Sequence, residues 1–229
     1  MQDRPVAVFD IDGTVFRSSL LTELVERLVQ NGVFPIAARE SYQEDYARWL
    51  DREGDYRTYI DGLVAGFVSH LKGVSYAVVA DAAGEVIEEM RNRVYRYTRD
   101  LVKDLKEKGY FILAISHSPK FIVDGFGYEH GFDKTYGMFY ATGPSGNFTG
   151  EVEDEDLILN KAAVLQRAVR KEGLTLAGSI GVGDTESDIQ LLESVETPIA
   201  FNPNAKLYQH ATRRQWKVVV ERKDVIYEL

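Results

Sequence analysis

The segment "VFDIDGTV" sets two aspartates, Asp10 and Asp12, one residue apart at the end of a short apolar run. Carboxylates this close repel one another, and proteins keep such pairs mostly where the charges act on something. Further along, "FILAIS" ends on Ser116, and "AGSIGVGD" ends on Asp184, with Asp188 one helical turn beyond it. Lys161 stands between the two, early in a helical stretch. Four carboxylates, a hydroxyl and an ammonium are suitable parts for moving a phosphoryl group. One carboxylate can attack phosphorus, splitting a slow hydrolysis into two easier steps. A second can protonate the leaving alcohol and then, deprotonated, activate water. A hard divalent cation such as Mg2+, held by one or two carboxylates and substrate oxygens, offsets the remaining charge.

Taken singly, each residue has a plainer explanation. An Asp before a helix is usually a cap, a Ser at a strand end a turn residue, and a helix-face Lys a solvated charge. Their placement along the chain argues otherwise. Residues Pro5–Asp10 read as a buried strand, without polar alternation. From "SSLLTELVERLVQNG" to about residue 95 the pattern is helical, with four helices and no strong strand signal. Strand and helix then alternate. "TRDLVKDLKEKG" is a helix, "YFILAIS" a strand, and a further helix begins at Pro119. "KTYGMFYATGPSGNFTGEV" reads as two strands joined by a turn, and a single helix covers Leu157–Glu172. The strand "AGSIGVGD", a helix over "SDIQLLESV", the strand "PIAF", a helix at "AKLYQHATRR" and the strand "KVVV" follow. This order predicts an α/β fold, a three-layer core around a parallel sheet, with a helical block inserted after the first strand. In open sheets of this kind ligands sit beyond the carboxyl ends of the strands. Asp10, Asp12, Ser116 and Asp184 all fall there.

The 229 residues carry a formal net charge of −9, 45% hydrophobic content and no cysteine. The acidic balance argues against a nucleic-acid surface. The absence of cysteine excludes disulfides, thiolate metal sites and thiol nucleophiles. The most apolar stretch, residues 62–80, is interrupted by His70, Lys72 and several glycines, and reads as buried helix rather than membrane span. The expectation is a cytoplasmic enzyme, monomer or homodimer, acting on a small phosphorylated metabolite without nucleic-acid or membrane partners.

"DIDGT", the Ser of "AISHSP", Lys161 and "GDTESD" resemble, in order and spacing, the four motifs of the haloacid dehalogenase superfamily of phosphohydrolases. The helical block resembles that family's C1-type cap, and "HGFDKTYGMFYATGPSGNFTGEV" and "PIAFNPNAKL" resemble the phosphoserine phosphatase subfamily. The resemblance implies a Rossmann-like core of residues 1–15 and 96–229 and a cap of residues 16–95. It implies that Asp10 is the nucleophile and Asp12 the acid/base, with Lys161 completing the catalytic set. Mg2+ would be held by Asp10, the backbone carbonyl of Asp12, and Asp184, with Asp188 acting directly, through water, or by fixing Lys161. Gly13, Thr14 and Ser116 would serve the phosphoryl group, with Thr14 also steadying Asp12.

Three departures bear on substrate. Phosphoserine phosphatases carry a Glu where this chain has Ser19, an Asn where it has Ser187, and a Gly pair where it has His117 and Ser118. A substrate ammonium would lose its charged partner. Candidate contacts are then His117, Arg17, Ser18, Ser19, Arg39, Tyr42 and Tyr46, while Tyr42, Tyr46 and Trp49 at helical spacing also suit simple packing. A phosphotransferase and a non-catalytic module binding phosphate and Mg2+ are the alternative readings.

Overall fold

Strand β1 (Arg4–Phe9) lies in the middle of the molecule, and Val6–Phe9 are fully buried. A computed structural model describes residues 4–229, so residues 1–3 of the expected first core segment lie outside the described residues. β1 is flanked in parallel by β2 (Phe111–Pro119) and β5 (Leu174–Gly183). β3 (Lys134–Thr142) and β4 (Phe148–Glu153) extend the sheet on one side. β6 (Thr197–Phe201), β7 (Lys217–Arg222) and β8 (Val225–Glu228) extend it on the other. The order is β4-β3-β2-β1-β5-β6-β7-β8, with β4 and β8 antiparallel at the edges. The chain first builds outward from β1 to β4, then restarts at β5 on β1's other side. The crevice where that direction reverses is where such sheets bind ligands.

Helices α1 (Leu20–Gln30), α2 (Ala37–Leu50), α3 (Tyr56–Leu71) and α4 (Tyr76–Met90) occupy the inserted stretch. The chain leaves and re-enters the sheet through two adjoining segments. Arg17 N donates to the Arg93 carbonyl (2.9 Å), and Tyr95 N to the Val15 carbonyl (3.0 Å). The far end is tied to the β3–β4 hairpin: Gly73 N donates to the Phe148 carbonyl (2.8 Å) and Tyr76 N to the Gly146 carbonyl (2.9 Å). The apolar stripe of α1, including Leu20, Leu24 and Leu28, joins one continuous buried cluster with β1 and β2. Burying each such side chain is worth about 1.5–3 kcal/mol, so this stripe anchors the insertion to the sheet. Among the described residues no helix is long and apolar enough to cross a membrane.

After the insertion come α5 (Arg96–Glu107) and α6 (Lys120–Glu129), then α7 (Glu155–Leu159) and α8 (Lys161–Glu172), and finally α9 (Ile189–Glu193) and α10 (Ala205–Arg214). Four expectations need correction. The helix expected over Leu157–Glu172 breaks at Asn160, which ends α7 and caps α8 by accepting from Ala163 N (3.0 Å). The helix expected over "SDIQLLESV" is a 3-10 turn at Glu186–Asp188 followed by the short α9. β5 begins at Leu174, three residues early, because a register shift against β1 absorbs the extra residues and Gly178 turns with φ +72°. β8, a four-residue edge strand, was not expected at all.

β2 also runs past Ser116. Ile115 pairs with Tyr136 and Pro119 with Met138, so Ser116–Ser118 bulge away from β3. Gly137 makes room for this, since a Cβ there would lie 2.8 Å from the Ser118 carbonyl oxygen and 2.7 Å from Lys120 Cα. The bulge sits against the loop that follows β1.

Candidate active site

That loop, Asp10–Ser19, folds around the Ile11 carbonyl, which accepts from the backbone N of Thr14, Val15 and Phe16. Gly13 adopts φ +78°, a region that favours glycine. Glycine is needed there for space as well, because a Cβ would lie 2.2 Å from Asp184 Oδ2. The ends of β1 and β5 can thus press together, and Thr14 Oγ1 donates to Asp184 Oδ1 (3.3 Å). Thr14 steadies Asp184 rather than Asp12, and its own carbonyl accepts from the buried Thr98 of α5 (2.9 Å).

Lys161, only 2% exposed at its side chain, places Nζ 2.6 Å from Asp10 Oδ1 and 2.6 Å from Asp188 Oδ1. It reaches them because Asn160 starts α8 one residue earlier. The other oxygen of Asp188 accepts from the backbone N of Asp184 and Thr185, both at 3.1 Å. Both Asp188 oxygens are therefore occupied in holding Lys161 and shaping the turn that carries Asp184. Gly183 accepts this close approach, since a Cβ there would lie 2.6 Å from the Asp188 carboxyl carbon.

The Asp12 carboxylate points elsewhere. Oδ1 accepts from Leu20 N at the start of α1 (2.6 Å), and Oδ2 accepts from Ser116 Oγ (2.7 Å) and Ser118 Oγ (2.8 Å). Sequence reasoning assigned Ser116 to the phosphoryl group and missed Ser118, whose place depends on the bulge. Ser116 Oγ also accepts from Ser118 N (2.9 Å).

Burial sets the protonation of this cluster. Asp10 is pushed up to about 7 by burial and by the charges of Asp188 and Asp12, against the pull of Lys161. Asp12 is raised because burial outweighs its three hydrogen bonds. Asp184 is held well above the usual carboxylate range by burial and by Asp10 and Asp188. Burial disfavours charge on Lys161, but Asp10 and Asp188 overcome it and hold its pKa above the ordinary ammonium value. One oxygen from each of Asp10, Asp184 and Asp188 lies within 4.8 Å of the others, a spacing and a hard-oxygen donor set that suit a small divalent cation.

A cavity of about 980 Å3 opens from Gly13 and Asp184 toward the inserted helices. Arg17, Ser18, Ser19, Arg39, Tyr42 and Tyr46, all named from sequence, line it, together with Trp49, Tyr56, Tyr59 and Asn204. Ser19 Oγ caps α1, accepting from Thr22 N (3.4 Å). Arg17 lies over the Tyr95 ring (5.6 Å). Arg39 and Tyr42 are tied to Glu26, by 2.5 and 2.6 Å contacts. His117 is not on the cavity wall. It lies half-buried, with burial and the Lys161 charge pushing its pKa down to about 4, so the imidazole is neutral.

An open, mostly parallel sheet with acids at its central strand tips and a helical insertion after the first strand defines a Rossmann-like α/β fold. The sequence profile described as haloacid dehalogenase-like hydrolase matches residues 7–193, and the chain belongs to that family. Over 225 residues it is 27% identical to the inhibition of morphological differentiation protein of Streptomyces azureus, covering 94% of this chain and 78% of that one. It is 25% identical over 222 residues to the histidinol-phosphatase of Neisseria meningitidis, covering 93% of this chain and 97% of that protein. A solved phosphoserine phosphatase, described as a phospho-aspartyl intermediate analogue, superposes with a TM-score of 0.64 at 21% identity, covering 97% and 96% of the two chains. The protein is a phosphoric monoester hydrolase of this family.

Proposed function

We propose that this enzyme hydrolyses a small phosphorylated metabolite with Mg2+, through an aspartyl-phosphate formed on Asp10. The observation that carries the reading is the buried Lys161 bridging Asp10 and Asp188 at 2.6 Å, with Asp184 beside them and Asp12 held apart on separate donors.

Lys161 fixes one oxygen of Asp10, so the other is directed at phosphorus. As the Asp10–phosphorus bond forms, the ester P–O bond breaks, and the leaving oxygen takes a proton from Asp12. The raised pKa of Asp12 suits it to carry that proton, and Ser116, Ser118 and Leu20 N keep its carboxyl in place. In the second step Asp12, now ionised, takes a proton from water. The water oxygen bonds phosphorus, and inorganic phosphate leaves Asp10 as a carboxylate. Mg2+, held by Asp10 and Asp184 with the Asp12 backbone carbonyl, would neutralise phosphoryl charge, while Asp188 supports Lys161 and the Asp184 turn.

Residues 16–95 act in this reading as a cap over a core of residues 1–15 and 96–229, because they supply most of the cavity wall facing Asp184. Closure over that cavity would exclude water during transfer. The cavity's size and mixed aromatic and charged wall suit a compact organic phosphate, and the cysteine-free chain suits the cytoplasm. Assay of an aryl phosphate with Mg2+ and with EDTA tests the reading. Turnover should require the cation and vanish in Asp10→Asn, and Asp12→Asn should accumulate protein carrying one phosphoryl group by mass spectrometry. Full turnover by Asp10→Asn would refute it.

A further inference from the structure

Tyr56 opens α3, with its first turn held by the Asp55 carboxylate accepting from Arg57 N (3.1 Å). The ring is fixed between Trp49 (5.2 Å) and Tyr59 (5.8 Å), and it lines the same cavity as Gly13 and Asp184. Two other tyrosines of the same wall have their hydroxyls engaged. Tyr42 donates to Glu26 (2.6 Å), and Tyr59 is hydrogen-bonded to Thr22. Among the described residues the Tyr56 hydroxyl has no such partner, and the charges that act on it most are those of Asp184 and Asp12, with Asp10 behind them. Those charges and burial hold the phenol well above its usual pKa, so it stays a neutral donor across the working pH range.

The rest of the reacting centre comes from the strand ends and from α8, and is mostly carboxylate. Carboxylates cannot donate to a phosphoryl oxygen, and the cavity-facing oxygen needs a donor once water is excluded. A neutral phenol can donate there without setting another charge beside Asp184. Building on the phosphatase reading above, we propose that Tyr56 is a catalytic residue supplied by the insertion, donating its phenolic O–H to the phosphoryl oxygen that faces the cavity. Insertion and phosphoryl group are then coupled directly: a productive complex forms only with α3 in place.

Tyr56→Phe keeps the ring and removes only the donor, so packing alone predicts no change. Two readouts apply, kcat/KM for an aryl phosphate and the affinity for orthovanadate with Mg2+, followed by fluorescence of the adjoining Trp49 in a Trp216→Phe background. We expect both to fall about tenfold or more in Tyr56→Phe, the scale of a lost hydrogen bond to a charged group, with an unchanged melting temperature. Values within twofold of the parent on both readouts overturn the proposal. A parent protein that neither turns over the ester nor binds vanadate overturns the phosphatase reading and this one with it.

Discussion

Lys161→Met tests the central ion pair, because methionine preserves much of the side-chain length and removes the charge. In the native site the ammonium touches Asp10 and Asp188 at 2.6 Å with almost no solvent contact. Removing one partner of a buried pair leaves its counter-charges unpaired and costs about 3–5 kcal/mol. For a chain of this size a kilocalorie moves the melting temperature by roughly 2–4 °C, so the variant should melt about 6–20 °C lower. The deficit depends on pH. Asp10 already titrates near 7 with Lys161 beside it, against 3.8 as the ordinary value, and losing the ammonium raises it further. A carboxyl whose folded pKa is raised contributes stability that is complete below its unfolded pKa and lost as pH rises through the folded one. The variant should therefore approach the parent at pH 5 and fall furthest behind at pH 8. The double variant Lys161→Met/Asp188→Asn should cost less than the two single changes summed, by a coupling of about 0.5–3 kcal/mol, since the second change removes a charge that no longer has a partner. Thermal melts in EDTA at pH 5, 6.5 and 8 measure all of this. A variant within about 2 °C of the parent at pH 8 would refute the reasoning.

Gly13→Ala should reduce activity by more than about a hundredfold and weaken Mg2+ binding seen by calorimetry, because its Cβ would meet Asp184 Oδ2 at 2.2 Å and φ +78° would be strained. Ser118→Ala removes one of three donors to Asp12 and should lower the unfolding free energy by about 1 kcal/mol in urea, with a several-fold loss in kcat. Mg2+ at about 100 times its Kd should stabilise the protein by roughly 2.7 kcal/mol. Because Asp10 and Asp184 bind protons more tightly than usual, the melting gain on adding Mg2+ should grow between pH 5 and pH 8, and a flat response would contradict their assignment as ligands.

Asp10, Asp12, Ser116 and Asp184 were legible because each stands at or just past the end of an apolar run, where period and polarity change together. Lys161 and Asp188 stood out only as members of that set, and their roles needed the family resemblance, since a helical Lys and an Asp one turn past a strand are ordinary by themselves. Ser118 was illegible because its role requires the bulge of β2, and that bulge is set by pairing with β3 and by Gly137 rather than by local pattern. The break at Asn160 hid inside continuous helical periodicity, one residue serving as the end of α7 and the cap of α8. β8, with only four residues and one face exposed, offers too short an alternation to register. Tyr56 carries no signal in the sequence that separates it from the other aromatics of the inserted helices, and only the assembled cavity brings it into one wall with Gly13 and Asp184.

The geometry also explains why one site both carries a proton and suits a cation. Asp10, Asp12, Asp184 and Asp188 have one buried ammonium among them, which Asp10 and Asp188 alone touch, so full ionisation would leave about three uncompensated negative charges away from water, a cost of several kcal/mol for each. The fold relieves this differently at each position. Asp188 has two backbone N–H groups and half of Lys161. Asp12 has hydroxyl donors on one oxygen and the N-terminus of α1 on the other, yet burial still holds its pKa above the ordinary carboxylate value, the direction that suits the proposed general acid. Asp10 and Asp184 retain the largest unrelieved charge, and they are the pair that Gly13 allows to come together at the crevice between β1 and β5. On the proposed reading, a divalent ion there would relieve the charge that protein donors leave over, and most of all once a phosphoryl group brought more negative charge. Metal affinity, proton supply and the nucleophile's reactivity would then be one electrostatic problem, answered by where the strands end.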